Sequence, residues 1–237
     1  MDATPLRLDT PWGPFWVPRE PDTDHLARCL REGKVYDEGV VGAAMEYARP
    51  GTTVIDLGAC FGQFSVILAD KVGPSGRVRA FECQPAVLGS LRRTLAEPGR
   101  ENILLEERAA YDVTGLVLPF PEAAFDDRYV SWGCFHIDPR QSLAPKVTTV
   151  RVDDVIGPDE EVSFIKVDVN TCDLQAMRGA LFTVLRCRCP VLYEYEPLSQ
   201  ELWGLGLSDY DDFVGGINYR LERLIGGAGH NFLIVPR

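Results

Sequence analysis

Two acidic residues lie where apolar, strand-like runs of the sequence end. Asp56 follows Val54 and Ile55 and precedes a short loop that contains Gly58 and Gly62, and Glu82 ends the next apolar run. In open α/β sheets, ligands bind outside the carboxyl ends of the strands. The sequence therefore predicts that both carboxylates face one ligand site.

The loop spacing indicates which ligand this is. Its glycines follow a G-x-x-x-G pattern rather than the G-x-G-x-x-G pattern of a dinucleotide site, in which a pyrophosphate lies over a helix N-terminus. A carboxylate beside the loop favours a cationic ligand, and Glu82 can accept both hydroxyls of a ribose. S-adenosylmethionine fits, because it carries an ammonium, a sulfonium and no phosphate. The residues predicted to bind it are Asp56, Gly58, Ala59, Cys60, Gly62, Glu82, Cys83, Ala109 and Glu38.

Lys166 and Asp168 lie two residues apart in a later apolar run. Alternate residues of a strand point to the same face, and a lysine inside a buried strand needs a charged partner. Asp56 and Glu194 are candidates, so Lys166 belongs to a structural ion pair or to a catalytic Lys–Asp pair. Asp168 either steers the acceptor and the cofactor or only caps a strand end.

His136 lies in a segment rich in aromatic residues between 120 and 135. It is either a base that reaches over the cofactor or a histidine packed inside a loop. The aromatic residues either line an acceptor pocket or form a small core of their own. The predicted substrate contacts are Glu194, Glu196, Asn170 and Trp132, and no metal site is predicted.

Composition restricts the partners. The chain has 237 residues and a net charge of −11, whereas affinity for nucleic acids depends on basic residues that neutralise phosphates. No apolar run approaches the length of a membrane span, and the N-terminus has no signal-peptide pattern. Seven cysteines at irregular spacings are typical of free thiols in a cytosolic protein. We therefore expect a cytoplasmic protein that binds neither nucleic acid nor membrane. The sequence does not determine the oligomeric state, and a homodimer is one option.

Strand-like and helical stretches alternate after residue 50, which predicts right-handed crossovers and a doubly wound, mostly parallel sheet. We expect one domain over 1–237, with a covering segment at 1–50, a loop-rich insertion at 112–150 and a C-terminal antiparallel hairpin around Gly226, Gly227 and Gly229. Asp153 and Asp154 are expected to start a helix. The predicted strands are 54–57, 77–81, 103–107, 164–169, 190–195, 219–225 and 231–235. The predicted helices are 26–30, 40–47, 63–71, 86–95, 174–185 and 208–218, the last capped by Ser208.

Four stretches, at 54–64, 73–85, 149–156 and 164–180, resemble the FkbM-type methyltransferase family. The resemblance implies a seven-stranded class I methyltransferase fold and methyl transfer to oxygen in natural-product or glycan biosynthesis. The family usually has Asn at the position of Cys60 and Pro-Asn at 83–84. After Asp168 it usually has V-E-G-x-E, where this chain has Asn170 and Thr171.

The expected activity is therefore O-methylation of a small-molecule or glycan hydroxyl. A metal-assisted O-methyltransferase, with Asp168 and Asn170 as oxygen ligands, is one alternative. A non-catalytic protein that keeps the cofactor pocket is another. A nucleic-acid methyltransferase is opposed by the acidic charge and by the lack of an N/D-P-P-Y/F motif.

Overall fold

The computed structural model describes residues 4–19, 24–123, 125, 131–225 and 231–237. Its strands are β1 (Leu6–Thr10), β2 (Gly13–Val17), β3 (Thr53–Leu57), β4 (Arg77–Phe81), β5 (Ile103–Glu106), β6 (Ala109–Ala110), β7 (Val117–Pro119), β8 (Lys146–Val150), β9 (Val162–Val167), β10 (Val191–Glu194), β11 (Tyr219–Ile225) and β12 (Asn231–Pro236). Its α-helices are α1 (His25–Arg31), α2 (Glu38–Tyr47), α3 (Gln63–Val72), α4 (Pro85–Leu95), α5 (Asp173–Gly179), α6 (Leu181–Cys187), α7 (Leu198–Trp203) and α8 (Leu207–Gly216).

The main sheet has seven strands in the order β11-β12-β10-β9-β3-β4-β5. Strands β10, β9, β3, β4 and β5 run parallel, and β12 joins antiparallel to β10. The predicted class I methyltransferase fold, a mostly parallel sheet with antiparallel strands from its C-terminus, is thereby confirmed. The chain first builds outward from β3 through β4 to β5, then returns to the other side of β3, so the strand order reverses there. Ligands bind at such a switch point.

Both faces of the sheet are covered. Every residue of β3 and β9 is buried, as is typical of parallel strands that have helices on both sides. One apolar cluster includes residues of α2, α3 and α4, and the other includes residues of α5, α6 and α8. This two-sided packing fixes the strand ends that carry the site.

The segment predicted as an insertion contributes β7 and β8 to a small sheet in the order β6-β8-β7, whose strand β6 precedes that segment. The segment's buried aromatic residues Phe120 and Phe135 belong to a third apolar cluster. Phe125 packs edge to face on Trp132 and Phe135, with ring centroids 4.8 and 5.2 Å apart. Tyr129 lies outside the described residues. The aromatic residues at 125, 132 and 135 thus pack against one another, while Phe120 and Phe135 also line the cavity described below.

An N-terminal hairpin, β1 and β2, was not predicted. Leu6 pairs with Val17 across it, and the arginine at position 100 joins it to the domain. That Arg100 side chain is almost buried and donates hydrogen bonds to the carbonyl oxygens of Trp12, Pro14 and Thr94. The alternation of apolar and polar residues in β1 was a usable signal for a strand.

Two predicted helix features are wrong. The helix predicted over 174–185 is two helices, which are separated at Ala180, whose ψ of 7° departs from helical geometry. Gly179 lies against the Tyr111 carbonyl, where a Cβ would come within 1.9 Å of the oxygen. Asp153 does not start a helix in its own segment, which forms a 3-10 turn. Instead, its carboxylate accepts the N–H groups of Phe182 and Thr183 at the start of α6.

The cap predicted for the last helix is also wrong. Helix α8 begins after Gly206, and Asp209 rather than Ser208 accepts the Gly206 N–H, at 2.8 Å. The glycines at the predicted turn of the C-terminal hairpin lie outside the described residues. Within the described ranges, none of the helices is both long and apolar enough to cross a bilayer.

Candidate functional site

A cavity of about 390 Å³ lies at the carboxyl ends of the central strands. This volume falls in the range of roughly 300–1,000 Å³ that is typical of small-molecule sites. Its floor is formed by the loops after β3, β4, β9 and β10, and its cover comes from the start of α1, the segment before α2 and residues 131–137. The cavity therefore occupies the switch point of the sheet.

The loop after β3 uses its own backbone N–H groups inside the protein. The N–H groups of Gly58 and Ala59 both donate to the Phe81 carbonyl oxygen at 3.0 Å, and the Cys60 N–H donates to Glu82 Oε2 at 2.8 Å. A phosphate-binding loop points such groups at its ligand. These N–H groups are already engaged, so the loop does not form a phosphate site.

Glu82 is the polar centre of one end of the cavity. Its Oε1 atom accepts the N–H groups of Cys83 and Gln84, both at 2.8 Å, while Oε2 accepts that of Cys60. Burial raises the pKa of Glu82, although these backbone donors oppose the rise. A carboxylate offers about four lone-pair positions, so Oε2 can accept a further hydrogen bond from a ligand hydroxyl.

Lys166 and Asp56 form the ion pair that the sequence suggested. Lys166 Nζ lies 3.1 Å from Asp56 Oδ1, and Ser65 donates a hydrogen bond to Asp56 Oδ2 at 2.6 Å. The two residues are direct partners in the β3–β9 register. Burial opposes the charge of Lys166, but Asp56 and Asp168 raise its pKa above the ordinary value. The lysine is therefore charged, and its positive charge balances the carboxylate of Asp56 behind the cavity wall.

Asp168 and Glu194 lie at the other end of the cavity, beyond β3 from Glu82. Asp168 Oδ2 is 3.4 Å from Lys166 Nζ, and Asp168 and Glu194 lie at the carboxyl ends of the neighbouring parallel strands β9 and β10. Burial raises the pKa of Glu194, and the charge of Asp168 raises it further. A like charge nearby disfavours ionisation, so the carboxyl groups of Asp168 and Glu194 make this end of the cavity a candidate acid–base site.

Most of the predicted residues come together around the cavity. Those that line it are Gly58, Ala59, Cys60, Glu82, Cys83, Ala109, Lys166, Asp168, Asn170, Glu194 and Glu196. The side-chain amide of Asn170 is turned toward the insertion, where it donates to the Gly133 carbonyl oxygen at 2.9 Å.

Two predicted cofactor contacts lie behind the cavity wall. Asp56 is completely buried and paired with Lys166, so its carboxylate does not face a ligand. Gly62 precedes α3 and packs on Leu91, where a Cβ would come within 2.9 Å of Leu91 Cδ1. Both residues shape the loop that lines the site.

Three other candidates are placed away from the cavity lining. Glu38 is exposed in the first turn of α2. The indole of Trp132 packs on Phe125 and Phe135. His136 is buried, with Nδ1 3.3 Å from the Cys134 carbonyl oxygen. Trp132 and His136 are directed by local contacts, which strand-end reasoning does not predict, and Glu38 faces the solvent.

The segment before α2 also lines the cavity. Tyr36 and Asp37 both belong to the lining, and Asp37 is the one that sequence reasoning missed. The Tyr36 N–H donates to Gln63 Oε1 at 2.8 Å, and Gln63 Nε2 donates to the Lys34 carbonyl oxygen. Gln63 thus ties this segment to α3. A polar residue at the buried start of a helix was the available signal.

The comparisons with known proteins agree with this geometry. The model of the methyltransferase FkbM domain family matches residues 56–221. A methyltransferase FkbM structure from Methylobacillus flagellatus has a TM-score of 0.51 and 17% identity, covering 82% of this chain and 50% of that one. This chain therefore spans about half of that protein's length.

A putative rRNA-methylase structure from Clostridium thermocellum has a TM-score of 0.52 and 13% identity, covering 84% of this chain and 94% of that one. At such identities these two likenesses show the fold alone. No curated protein matches the chain.

Proposed function

Because the chain belongs to the FkbM methyltransferase family, we propose that it transfers a methyl group from S-adenosylmethionine to a hydroxyl oxygen of a small molecule or glycan. The observation that carries this proposal is the placement of the carboxyl groups of Asp168 and Glu194 at the end of the cavity that lies across β3 from Glu82. A cofactor anchor and an acid–base group then lie on opposite sides of a single switch point.

S-adenosylmethionine, the cofactor of this family, fits the residues present. It supplies a methyl group that is already activated on a positively charged sulfur. Glu82 can accept a hydrogen bond from a ribose hydroxyl. The backbone of the loop after β3 can approach the cofactor, while its N–H groups at Gly58 and Ala59 are bonded to Phe81 and do not form a phosphate site. The carboxylates in the lining, at 37, 82, 168, 194 and 196, outnumber the cations Lys166 and Arg108. The cavity therefore suits a cationic ligand.

We expect Glu82→Ala to weaken binding of S-adenosylhomocysteine by about 1.5–3 kcal/mol, the usual contribution of a hydrogen bond to a charged group. The variant also frees the N–H of Cys60, which loosens the loop. Isothermal titration calorimetry of the wild type and the variant measures the change. Glu101→Ala removes an exposed glutamate and should leave the affinity unchanged. Unchanged binding by Glu82→Ala would disprove the anchor.

The proposed step needs alignment and one proton acceptor. The acceptor oxygen forms a bond to the methyl carbon as the carbon–sulfur bond breaks and its electron pair stays on sulfur. The hydroxyl proton passes to the carboxyl pair of Asp168 and Glu194. The base in this step is an ionised carboxylate of the two, because a carboxyl group that already carries a proton cannot accept the one from the hydroxyl. Lys166 holds Asp168 in place at 3.4 Å.

The charge of the cavity also favours certain acceptors. Lys166 is paired with Asp56 and Asp168, and Arg108 is paired with Glu106 at 2.7 Å. Neither basic group is left to bind an anionic acceptor. We therefore propose a neutral or amino-bearing hydroxyl compound over a phosphorylated one, and the net charge of −11 opposes a nucleic-acid acceptor.

Methyl transfer from radiolabelled S-adenosylmethionine tests the proposal. The panel should contain neutral sugars, amino sugars, sugar phosphates and small phenols, each with and without EDTA. We expect an O-methyl ether on a neutral or amino-bearing acceptor, unaffected by EDTA. Glu194→Gln should lower kcat/KM about 100-fold, as loss of a general base does, while still binding S-adenosylhomocysteine.

Other outcomes of this assay separate the alternatives. Loss of transfer on chelation would identify a metal-assisted enzyme. Cofactor binding without transfer to any acceptor would favour a non-catalytic binding protein. Transfer to nitrogen or carbon, or full activity of Glu194→Gln, would refute the proposed step.

A further inference from the structure

Asp24 is a buried carboxylate that accepts three hydrogen bonds. It is 1% exposed and precedes α1. Its Oδ1 atom accepts the Ala27 N–H at 2.6 Å and so caps the helix. Its Oδ2 atom accepts the hydroxyl of Ser131 at 2.7 Å and the backbone N–H of Trp132 at 2.8 Å. The cap accounts for only one of its oxygens.

The residues on both sides of this contact cover the cavity. His25 and Leu26, which follow Asp24, line it from the start of α1, while Ser131 and Gly133 line it from the insertion. One carboxylate thus joins the two parts of the cover, which are distant in sequence. Hydrogen bonds to a charged and buried oxygen are stronger than those between neutral groups, so the two parts cannot separate without losing them.

We propose that Asp24 is a positioning residue for the cofactor, which holds the start of α1 against the insertion across the mouth of the cavity. The inference rests on cofactor binding in this cavity and does not depend on the acceptor or on the proposed base. Its consequence is kinetic. A cover fixed at Asp24 slows the departure of the bound cofactor, and a cover released at this point opens on both sides.

Two substitutions of Asp24 distinguish its role as the helix cap from its hydrogen bonds to Ser131 and Trp132. Asp24→Ser keeps an N-cap side chain but does not reach the insertion. Asp24→Asn keeps a carbonyl oxygen for Ala27 but presents an amide group to the Trp132 N–H, which has no acceptor there. Ser131→Ala removes the hydrogen bond that the insertion donates to Asp24 Oδ2 from this hydroxyl, without altering α1.

Binding of S-adenosylhomocysteine is measured by calorimetry, and its dissociation rate by stopped-flow tryptophan fluorescence. We expect both Asp24 variants to bind about 10-fold more weakly, mainly through faster dissociation, as the loss of a charge-assisted hydrogen bond implies. Ser131→Ala should show a smaller effect in the same direction. Adding Ser131→Ala to Asp24→Asn should change little more, because the two residues share one interaction.

Asp209→Asn is the matched control, because Asp209 accepts a backbone N–H at the start of α8 and does not line the cavity. It should leave both the affinity and the dissociation rate unchanged. Wild-type affinity and dissociation in the Asp24 variants would overturn the proposal, as would an equal loss in Asp209→Asn. If the Asp24 variants fail to fold by circular dichroism, an unchanged dissociation rate in Ser131→Ala overturns it.

Discussion

Substitution of Gly58 by alanine is expected to destabilise the protein by about 4 kcal/mol and to abolish cofactor binding. Gly58 has φ +87°, a conformation that costs an L-residue roughly 1–3 kcal/mol. In addition, a Cβ at this position would come within 1.8 Å of the Asp168 carbonyl oxygen. Because that oxygen belongs to the end of the neighbouring strand, the backbone itself would have to move, at a further cost of roughly 1–3 kcal/mol.

Thermal unfolding measures the effect. A destabilisation of about 4 kcal/mol lowers the Tm of a chain of this size by roughly 8–16 °C. Gly89→Ala provides the control, because Gly89 is exposed within α4 and a Cβ there would meet nothing within 4 Å. That change should leave the Tm equal or slightly higher. A Gly58→Ala protein with wild-type Tm and cofactor affinity would contradict the structure of the loop.

Gly58 also shows what a sequence pattern can and cannot specify. The G-x-x-x-G loop was interpreted as a surface that approaches a ligand closely, and it does line the cavity. Yet the contact that excludes a side chain at Gly58 is with the Asp168 backbone. The partner lies on a strand that is distant in the chain, so local spacing cannot identify it. The position of the site was predictable, while the reason for the glycine depended on the packing of β3 beside β9.

The predicted residues at strand ends lie in the cavity lining, whereas those predicted in irregular segments mostly do not. Glu82, Asp168 and Glu194 all follow or end buried strands, and the parallel sheet brings them to one edge. Trp132 and His136 lie in the insertion, where no periodicity determines the direction of a side chain. The helix start at α2 was placed too late, and the lining residue there is Asp37 rather than Glu38.

The departures from the family pattern at the cavity have a common geometry. Cys60, Asn170 and Thr171 all have positive φ, at 49°, 47° and 66°. Asn adopts this region more readily than most residues, and glycine does so without cost. This chain has Cys60 where the family usually has Asn, and the β-branched Thr171 where it usually has Gly. Both positions therefore carry residues that adopt a positive φ less readily than the usual ones. Backbone strain of this kind concentrates at functional sites.

Replacing Lys166 by methionine is expected to cost about 3–5 kcal/mol of stability, the usual effect of removing one partner of a buried ion pair. Asp56 is completely buried, and Lys166 also donates a hydrogen bond to the Gly58 carbonyl oxygen at 3.0 Å. Methionine has a similar length, so little of the loss comes from packing. What remains, among the residues that the structure describes, is a buried carboxylate whose side-chain partner is the hydroxyl of Ser65.

The dependence of this loss on pH identifies its cause. Burial raises the pKa of Asp56, and Lys166 opposes that rise, so its removal raises the pKa further. A group whose pKa is higher in the folded state stabilises the protein at low pH and loses that contribution as the pH rises through the folded value. The penalty of Lys166→Met should therefore be largest near neutral pH and shrink on acidification, as Asp56 takes up a proton.

Urea unfolding from neutral to mildly acidic pH tests this sign, with Lys166→Met/Asp56→Asn as the matched variant. Because the double variant has no charge left to bury, its stability should exceed that of Lys166→Met at neutral pH, and its penalty should change little with pH. A penalty of Lys166→Met that is independent of pH would mean that lost packing dominates. A large loss of methyl transfer in the double variant at restored stability would show that Lys166 also acts through Asp168, which lies 3.4 Å from it, because the ion pair with Asp56 alone would then not explain the residue.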